Sequence, residues 1–207
     1  YFNKDSNIQV LSHGETTPLR YGENPHQSAT FHGDLGKVCT QLHGKEISYN
    51  NLVDIDAAVQ LIREFNELTF AIIKHTNVCG IASRPNILDA WKTALAGDPE
   101  SAFGGVLVCN GVIDKATAEA ISEIFFEVLI AQGFEASALQ VLTSKKNRIL
   151  LQCHPDTISS EKMYKSVLNG TLVQDTDTGT HIEWKETGGR ESSETEREDL
   201  HFANIVC

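Results

Sequence analysis

Leu68-Thr69-Phe70-Ala71-Ile72-Ile73 is an apolar run of strand length, and Lys74-His75 follows it directly. A run this short and uniform suits a strand covered on both faces, as in sheets flanked by helices. Before it, residues 53–67 carry Ile55, Ala58, Val59, Ile62 and Phe65 at helical spacing. After it, residues 86–96 read as a helix with Gly97 as C-terminal cap. Residues 105–109 read as a second buried strand, 114–123 as a helix and 125–131 as a third strand. A helix at 135–143 and a strand at 148–152 complete the series. Strand and helix alternation of this kind predicts an α/β fold with a mainly parallel sheet joined by crossover helices.

Composition bounds the rest. The 207 residues, 41% of them hydrophobic, suit one ordinary domain or two small ones. Seventeen basic against 28 acidic residues give a net charge of −11, which argues against nucleic acid, whose binding needs a broad cationic footprint. A few local cations still suffice for a small anion. No apolar run reaches membrane-spanning length, and the opening Tyr1-Phe2-Asn3-Lys4-Asp5 has no signal-peptide architecture. Five widely spaced cysteines without a CxxC pair read as unpaired thiols in a reducing compartment, the cytoplasm. Ser193-Glu194-Thr195-Glu196 resembles a capping box, and the helix it opens runs to an uncapped apolar end at Cys207. Both ends are expected to be cuts in a longer chain.

Several stretches carry chemistry. Leu19-Arg20-Tyr21-Gly22-Glu23-Asn24-Pro25-His26-Gln27 fits neither the helical nor the strand period, and Gly22 and Pro25 punctuate it as a loop. Arg20 offers a fork for an anion, and Tyr21 a hydroxyl and a flat face. Asn24 and His26 add an amide and an imidazole; an ordered loop held by its own hydrogen bonds is the plainer alternative. Lys74 and His75 stand at a strand's carboxyl end, where open parallel sheets bind ligands, and histidine exchanges protons near neutral pH. A loop histidine bonded to backbone is the alternative there. Ser101-Ala102-Phe103-Gly104-Gly105 sets small residues around one aromatic, open to close ligand approach or simply a turn. Glu127 interrupts an apolar run and needs a partner if buried. Lys145-Lys146-Asn147 could meet a phosphate or be a solvated charge run. The phosphate-loop, GxGxxG, HExxH and zinc-deaminase patterns are absent from the sequence, so no metal is expected.

Six stretches, in order, resemble the formyltransferase domain of the bifunctional AICAR transformylase/IMP cyclohydrolase family. They are Arg20-Tyr21-Gly22-Glu23-Asn24-Pro25-His26-Gln27, Ile73-Lys74-His75-Thr76-Asn77-Val78-Cys79-Gly80-Ile81-Ala82, Asp98 to Gly105, Glu127 to Ala131, Lys145-Lys146-Asn147 and Leu172-Val173-Gln174-Asp175. Val78 and Gln132 stand where the family usually has proline. The resemblance implies formyl transfer from 10-formyltetrahydrofolate to AICAR, with His75 assisting deprotonation of the attacking amine and Lys74 orienting reactants and stabilising charge. It implies that Arg20, Tyr21, Asn51 and Lys146 hold the nucleotide, while Ser101, Phe103, Gly104 and Glu127 line the pocket; Asn24 and His26 belong to the same binding loop. It further implies a three-layer α/β/α, cytidine-deaminase-like subdomain at 19–153, and a homodimer in the full-length protein. Residues 1–18 would trail from an upstream cyclohydrolase domain, and 154–207 would lead towards a second subdomain. This piece is expected to be inactive alone. A non-catalytic nucleotide-binding module, or a deaminase or hydrolase using the same Lys-His pair, are the competing readings.

Overall fold

The computed structural model describes residues 15–154, 162–177, 179 and 184–207. Tyr1-Phe2 and most of the 1–18 segment expected to trail from an upstream domain lie outside them. The chain divides into two compact units, Tyr1–Pro155 and Asp156–Cys207. In the first, β1 (Thr16–Leu19), β2 (Ala29–His32) and β3 (Cys39–His43) precede α1 (Tyr49–Arg63). β4 (Thr69–Lys74), β5 (Asn77–Ser83) and α2 (Ile87–Gly97) follow, then β6 (Val106–Cys109), the short β7 (Val112–Ile113) and α3 (Lys115–Ile121). β8 (Val128–Ala131), β9 (Gly133–Phe134), α4 (Ala136–Leu142) and β10 (Ile149–Cys153) complete it.

Six strands form the central sheet in the order β3-β10-β8-β6-β4-β5. β4 is buried on both faces, which is why its sequence is continuously apolar rather than alternating. Its Phe70 and Ile72 pack with Trp91 of α2, Ile121 of α3 and Leu142 of α4. Its Ala71 and Ile73 turn to the other face, against Ile55, Ala58, Val59 and Ile62 of α1. Helices therefore cover both faces, and each fully buried large apolar side chain stabilises by about 1.5–3 kcal/mol.

The sheet departs from the expected parallel scheme at β4. β6, β8 and β10 pair in parallel, but β4 runs antiparallel to both β5 and β6, and β3 antiparallel to β10. Four of the six strands thus share one direction. The reason is the connection from β4 to β5, in which Lys74 pairs with Asn77 across two residues. A two-residue link makes a hairpin, whereas a parallel return needs a crossover of a dozen residues or more. The parallel return belongs instead to β5–α2–β6, with β4 inserted between its strands. At Gly80 on β5 an added Cβ would stand 2.0 Å from the Ala94 carbonyl oxygen of α2, so glycine alone allows this close approach of strand and helix.

Helix starts follow their caps. α1 begins at Tyr49, four residues ahead of the apolar periodicity, because Ser48 and Asn51 form a capping box. Asn86 and Asp114 cap α2 and α3. Gly97 is the last residue of α2 rather than its cap. The five cysteines are free, yet Cys39 and Cys153 face each other across β3 and β10 with their Sγ atoms 2.8 Å apart. In the second unit β11 (Lys162–Val167) and β12 (Gly170–Asp175) make an antiparallel hairpin, and α5 (Glu194–Val206) starts on a Ser193–Glu196 capping box. Among the described residues no helix is long and apolar enough to cross a membrane.

Candidate functional site

The hairpin tip between β4 and β5 consists of His75 and Thr76, with φ of +51° and +62°. Two-residue hairpin loops with both central residues at positive φ match the strand twist, but they favour Asn-Gly. Here neither residue is glycine, and Thr76 is β-branched, a genuine outlier in that region. Each such residue costs of the order of 1–3 kcal/mol, and strain of this kind clusters at functional sites. The Thr76 N–H donates to Asp54 Oδ1 of α1 at 2.8 Å. Within the turn, Asn77 Nδ2 and Thr76 Oγ1 both donate to the His75 carbonyl, at 2.7 and 2.6 Å. Lys74, half-buried at the end of β4, donates from Nζ to the Phe103 carbonyl at 2.9 Å, while the His75 side chain is exposed.

A cavity of about 490 Å³ opens beside this turn. Lys74, His75, Arg20, Tyr21, Asn51, Gly104 and Glu127 all line it. Glu127 precedes β8 by one residue rather than sitting within the strand, and its Oε2 accepts from Lys45 Nζ and Asn51 Nδ2, each at 3.1 Å. The carboxylate is only partly buried, its side chain 34% exposed, and it has two partners all the same. Asn51 is buried and serves twice, closing the α1 capping box and bracing Glu127. Gly104 adopts φ +77° while its N–H donates to the Phe125 carbonyl at 2.8 Å; the left-handed conformation is glycine's. The Arg20 guanidinium lies 5.4 Å from the centre of the Tyr21 ring.

The cavity is not at the carboxyl ends of parallel strands. Ile73 pairs with Val106, and Val106 with Val128, so the end of the reversed β4 coincides with the amino ends of β6 and β8.

Asn24, His26, Ser101, Phe103 and Lys146 stand outside the lining. Asn24 is engaged within its own turn, its N–H and Nδ2 donating to Gln27 Oε1 at 2.7 and 3.2 Å. His26 is exposed on that turn, which Asn50 Nδ2 ties to α1 through the Glu23 carbonyl at 3.2 Å. The Ser101 N–H donates to Asp98 Oδ1 at 3.0 Å, and the Ser101 hydrogen bonds hold the Asp98 carboxyl below its ordinary range. Phe103 is 59% exposed with its ring 5.2 Å from that of Phe125, an open aromatic surface next to the Lys74 contact. Lys146 lines a second groove, with Lys45, Phe125 and the buried Arg148. Arg148 itself is committed to structure, stacking on Phe126 at 4.5 Å and donating to Ser122 Oγ at 2.9 Å. Among the cavity residues that escaped the sequence reading are Lys45 and Asp54. Each looks like an ordinary surface charge until its partner, 82 and 22 residues away, is known.

Fold and cavity together describe an α/β domain with a polar cavity that carries a Lys-His pair, further cations and carboxylates. The chain belongs to the AICARFT/IMPCHase bienzyme family, whose model matches residues 1–207. It is 55% identical over 190 residues to the bifunctional purine biosynthesis protein PurH of Bacteroides thetaiotaomicron, covering 91% of this chain and 37% of that protein. Against the protein of the same name from Chloroflexus aurantiacus it is 46% identical, covering 90% and 38%. Against that from Bacillus subtilis the identity is 45%, covering 89% and 38%. The chain therefore spans less than two-fifths of the length of these relatives.

Proposed function

We propose that this chain supplies the first half of a formyltransferase domain acting in purine biosynthesis, a cytidine-deaminase-like, three-layer α/β/α subdomain of a bifunctional protein that also carries IMP cyclohydrolase. The reaction is transfer of the formyl group of 10-formyltetrahydrofolate to the amine of AICAR, giving formyl-AICAR and tetrahydrofolate. One observation carries the reading: Lys74 and His75 are held at a strained hairpin tip on a cavity that also presents Arg20 and Tyr21. On this reading Arg20 takes the nucleotide phosphate with its planar fork and Tyr21 stands against the ring. His75 accepts a proton from the amine as its nitrogen forms the bond to the formyl carbon. Lys74 stabilises the negative charge that grows on the formyl oxygen. The bond from that carbon to the folate nitrogen then breaks, and the proton passes to the leaving nitrogen. The exposed Phe103–Phe125 pair suits a planar heterocycle, which supports a folate at this edge.

Because the chain spans under two-fifths of its relatives, the active form on this reading is the complete protein, a cytoplasmic homodimer, and residues 1–207 alone are inactive. The test is formyl transfer to AICAR by the complete protein, its His75→Ala variant and residues 1–207, side by side. The reading expects activity in the complete protein, a loss of about 10²-fold or more in the variant, and none in the piece. Undiminished turnover in His75→Ala would overturn the role of His75, and no transfer by the complete protein would overturn the reaction.

A further inference from the structure

We propose that Asp54 is a positioning residue, whose carboxylate holds the His75-Thr76 turn in its left-handed conformation and so aims the imidazole at the cavity. The activity readout below rests on the formyl-transfer reading; the geometry does not. A turn of two consecutive non-glycine residues at φ +51° and +62° does not hold itself. The hydrogen bonds to the His75 carbonyl come from Thr76 and Asn77, within the hairpin, and would travel with the turn if it relaxed. The Asp54 bond comes from a different element. It ties the Thr76 N–H at 2.8 Å to a carboxylate, the stronger, charge-assisted class of hydrogen bond.

The support behind Asp54 is rigid. Asp54 is followed on α1 by Ile55, Ala58, Val59 and Ile62, which pack with Ala71 and Ile73 of β4 in one core cluster. The helix that grips the tip is therefore fixed against the strand that carries it. Asn51 lies three residues before Asp54 on the same helix and holds Glu127. One turn of α1 thus sets two cavity walls, the His75 turn through Asp54 and the Glu127 carboxylate through Asn51. Asp54 also lines the cavity, so a direct substrate contact is the rival explanation.

The test separates the two with Asp54→Ala, Asp54→Asn and Thr76→Gly. Glycine at 76 keeps the N–H but accepts positive φ without strain, so it should make the turn independent of Asp54. In residues 1–207, amide hydrogen exchange at Thr76 should quicken by about tenfold or more in Asp54→Ala, with the β4 core amides unchanged. In the complete protein kcat should fall by up to about 10²-fold, with KM for the nucleotide nearly constant, because a misaimed base harms the chemical step. Asp54→Asn, which retains an acceptor oxygen, should recover most of the loss, and Asp54→Ala should cost little once Thr76→Gly is present. Equal losses with threonine or glycine at 76, or an unchanged Thr76 exchange rate, would overturn the proposal. A complete protein without formyl transfer but with the expected exchange behaviour would sink the reaction and leave the positioning role standing.

Discussion

Replacing Glu127 by alanine removes the acceptor shared by Asn51 and Lys45, and the structure sets how much that costs. Asn51 is 7% exposed, so its Nδ2 would lose its acceptor at a largely buried position, at about 1–3 kcal/mol. The Lys45–Glu127 ion pair has side chains 45% and 34% exposed and contributes no more than about 1 kcal/mol. The sum, about 1–4 kcal/mol, corresponds to a fall in Tm of about 2–16 °C for a unit of this size. Glu127→Gln keeps an oxygen for Asn51 and gives up the charge, so its loss should stay under about 1 kcal/mol. Calorimetry on the two variants, and on Asn51→Ala with and without Glu127→Ala, makes the test. In the Asn51→Ala background the second change should lose most of its effect, leaving a coupling of about 1–2 kcal/mol. Additive losses, or a Gln variant as unstable as the Ala variant, would refute the argument that Asn51 needs Glu127.

Gly80→Ala should destabilise the first unit by about 1–3 kcal/mol or more, since the new methyl meets the Ala94 backbone carbonyl and α2 must shift; an unmoved urea midpoint would contradict the close packing of β5 and α2. Glu196 provides a pH test in the second unit. Its carboxyl is held down at about 2, first by the Arg190 guanidinium and then by Ser193, against an ordinary value of 4.5. A depressed folded-state pKa stabilises fully above the unfolded value and loses its effect as pH falls through the window between them. Helicity of α5, followed residue by residue by NMR, should hold steady from neutral pH to about 5 and decline between about 4.5 and 2. Fraying already complete by pH 5 would show that the Glu196 cap does not hold α5.

The sequence made the buried elements legible because burial leaves a compositional mark. β4, β6, β8 and β10 are apolar runs covered by helices, and the apolar stripe of α1 appears at its own period. The edge strands left no such mark. β3 reads Cys-Thr-Gln-Leu-His with three exposed residues, and β5 holds Asn77, Gly80 and Ser83 and is only partly buried. Strand direction was hidden for a different reason. Periodicity reports which faces are covered and says nothing of which way the chain runs. Direction here is fixed by the His75-Thr76 turn, which lacks the Asn-Gly or Asp-Gly signal of a hairpin because its residues sit in a conformation that their types disfavour.

The same turn explains why the site was half legible. Lys74 and His75 stand out as polar residues ending an apolar strand, so they are found even though the rule about carboxyl ends of parallel strands does not describe their setting. At the amino ends of β6 and β8 the nearby backbone donors are spent internally, Gly104 on Phe125, Gly105 on Ala102 and Glu127 on Gly105. The cavity's charge therefore comes from side chains. Of its three acidic residues, Glu127 is paired with Lys45 and Asp54 accepts from the Thr76 amide, while Glu46 remains at the rim. Among the described residues neither Arg20 nor Lys74 is in an ion pair; one lies over Tyr21 and the other bonds a neutral carbonyl. In a chain of net charge −11, these two cations on one cavity are the feature on which the proposed binding of an anionic nucleotide rests.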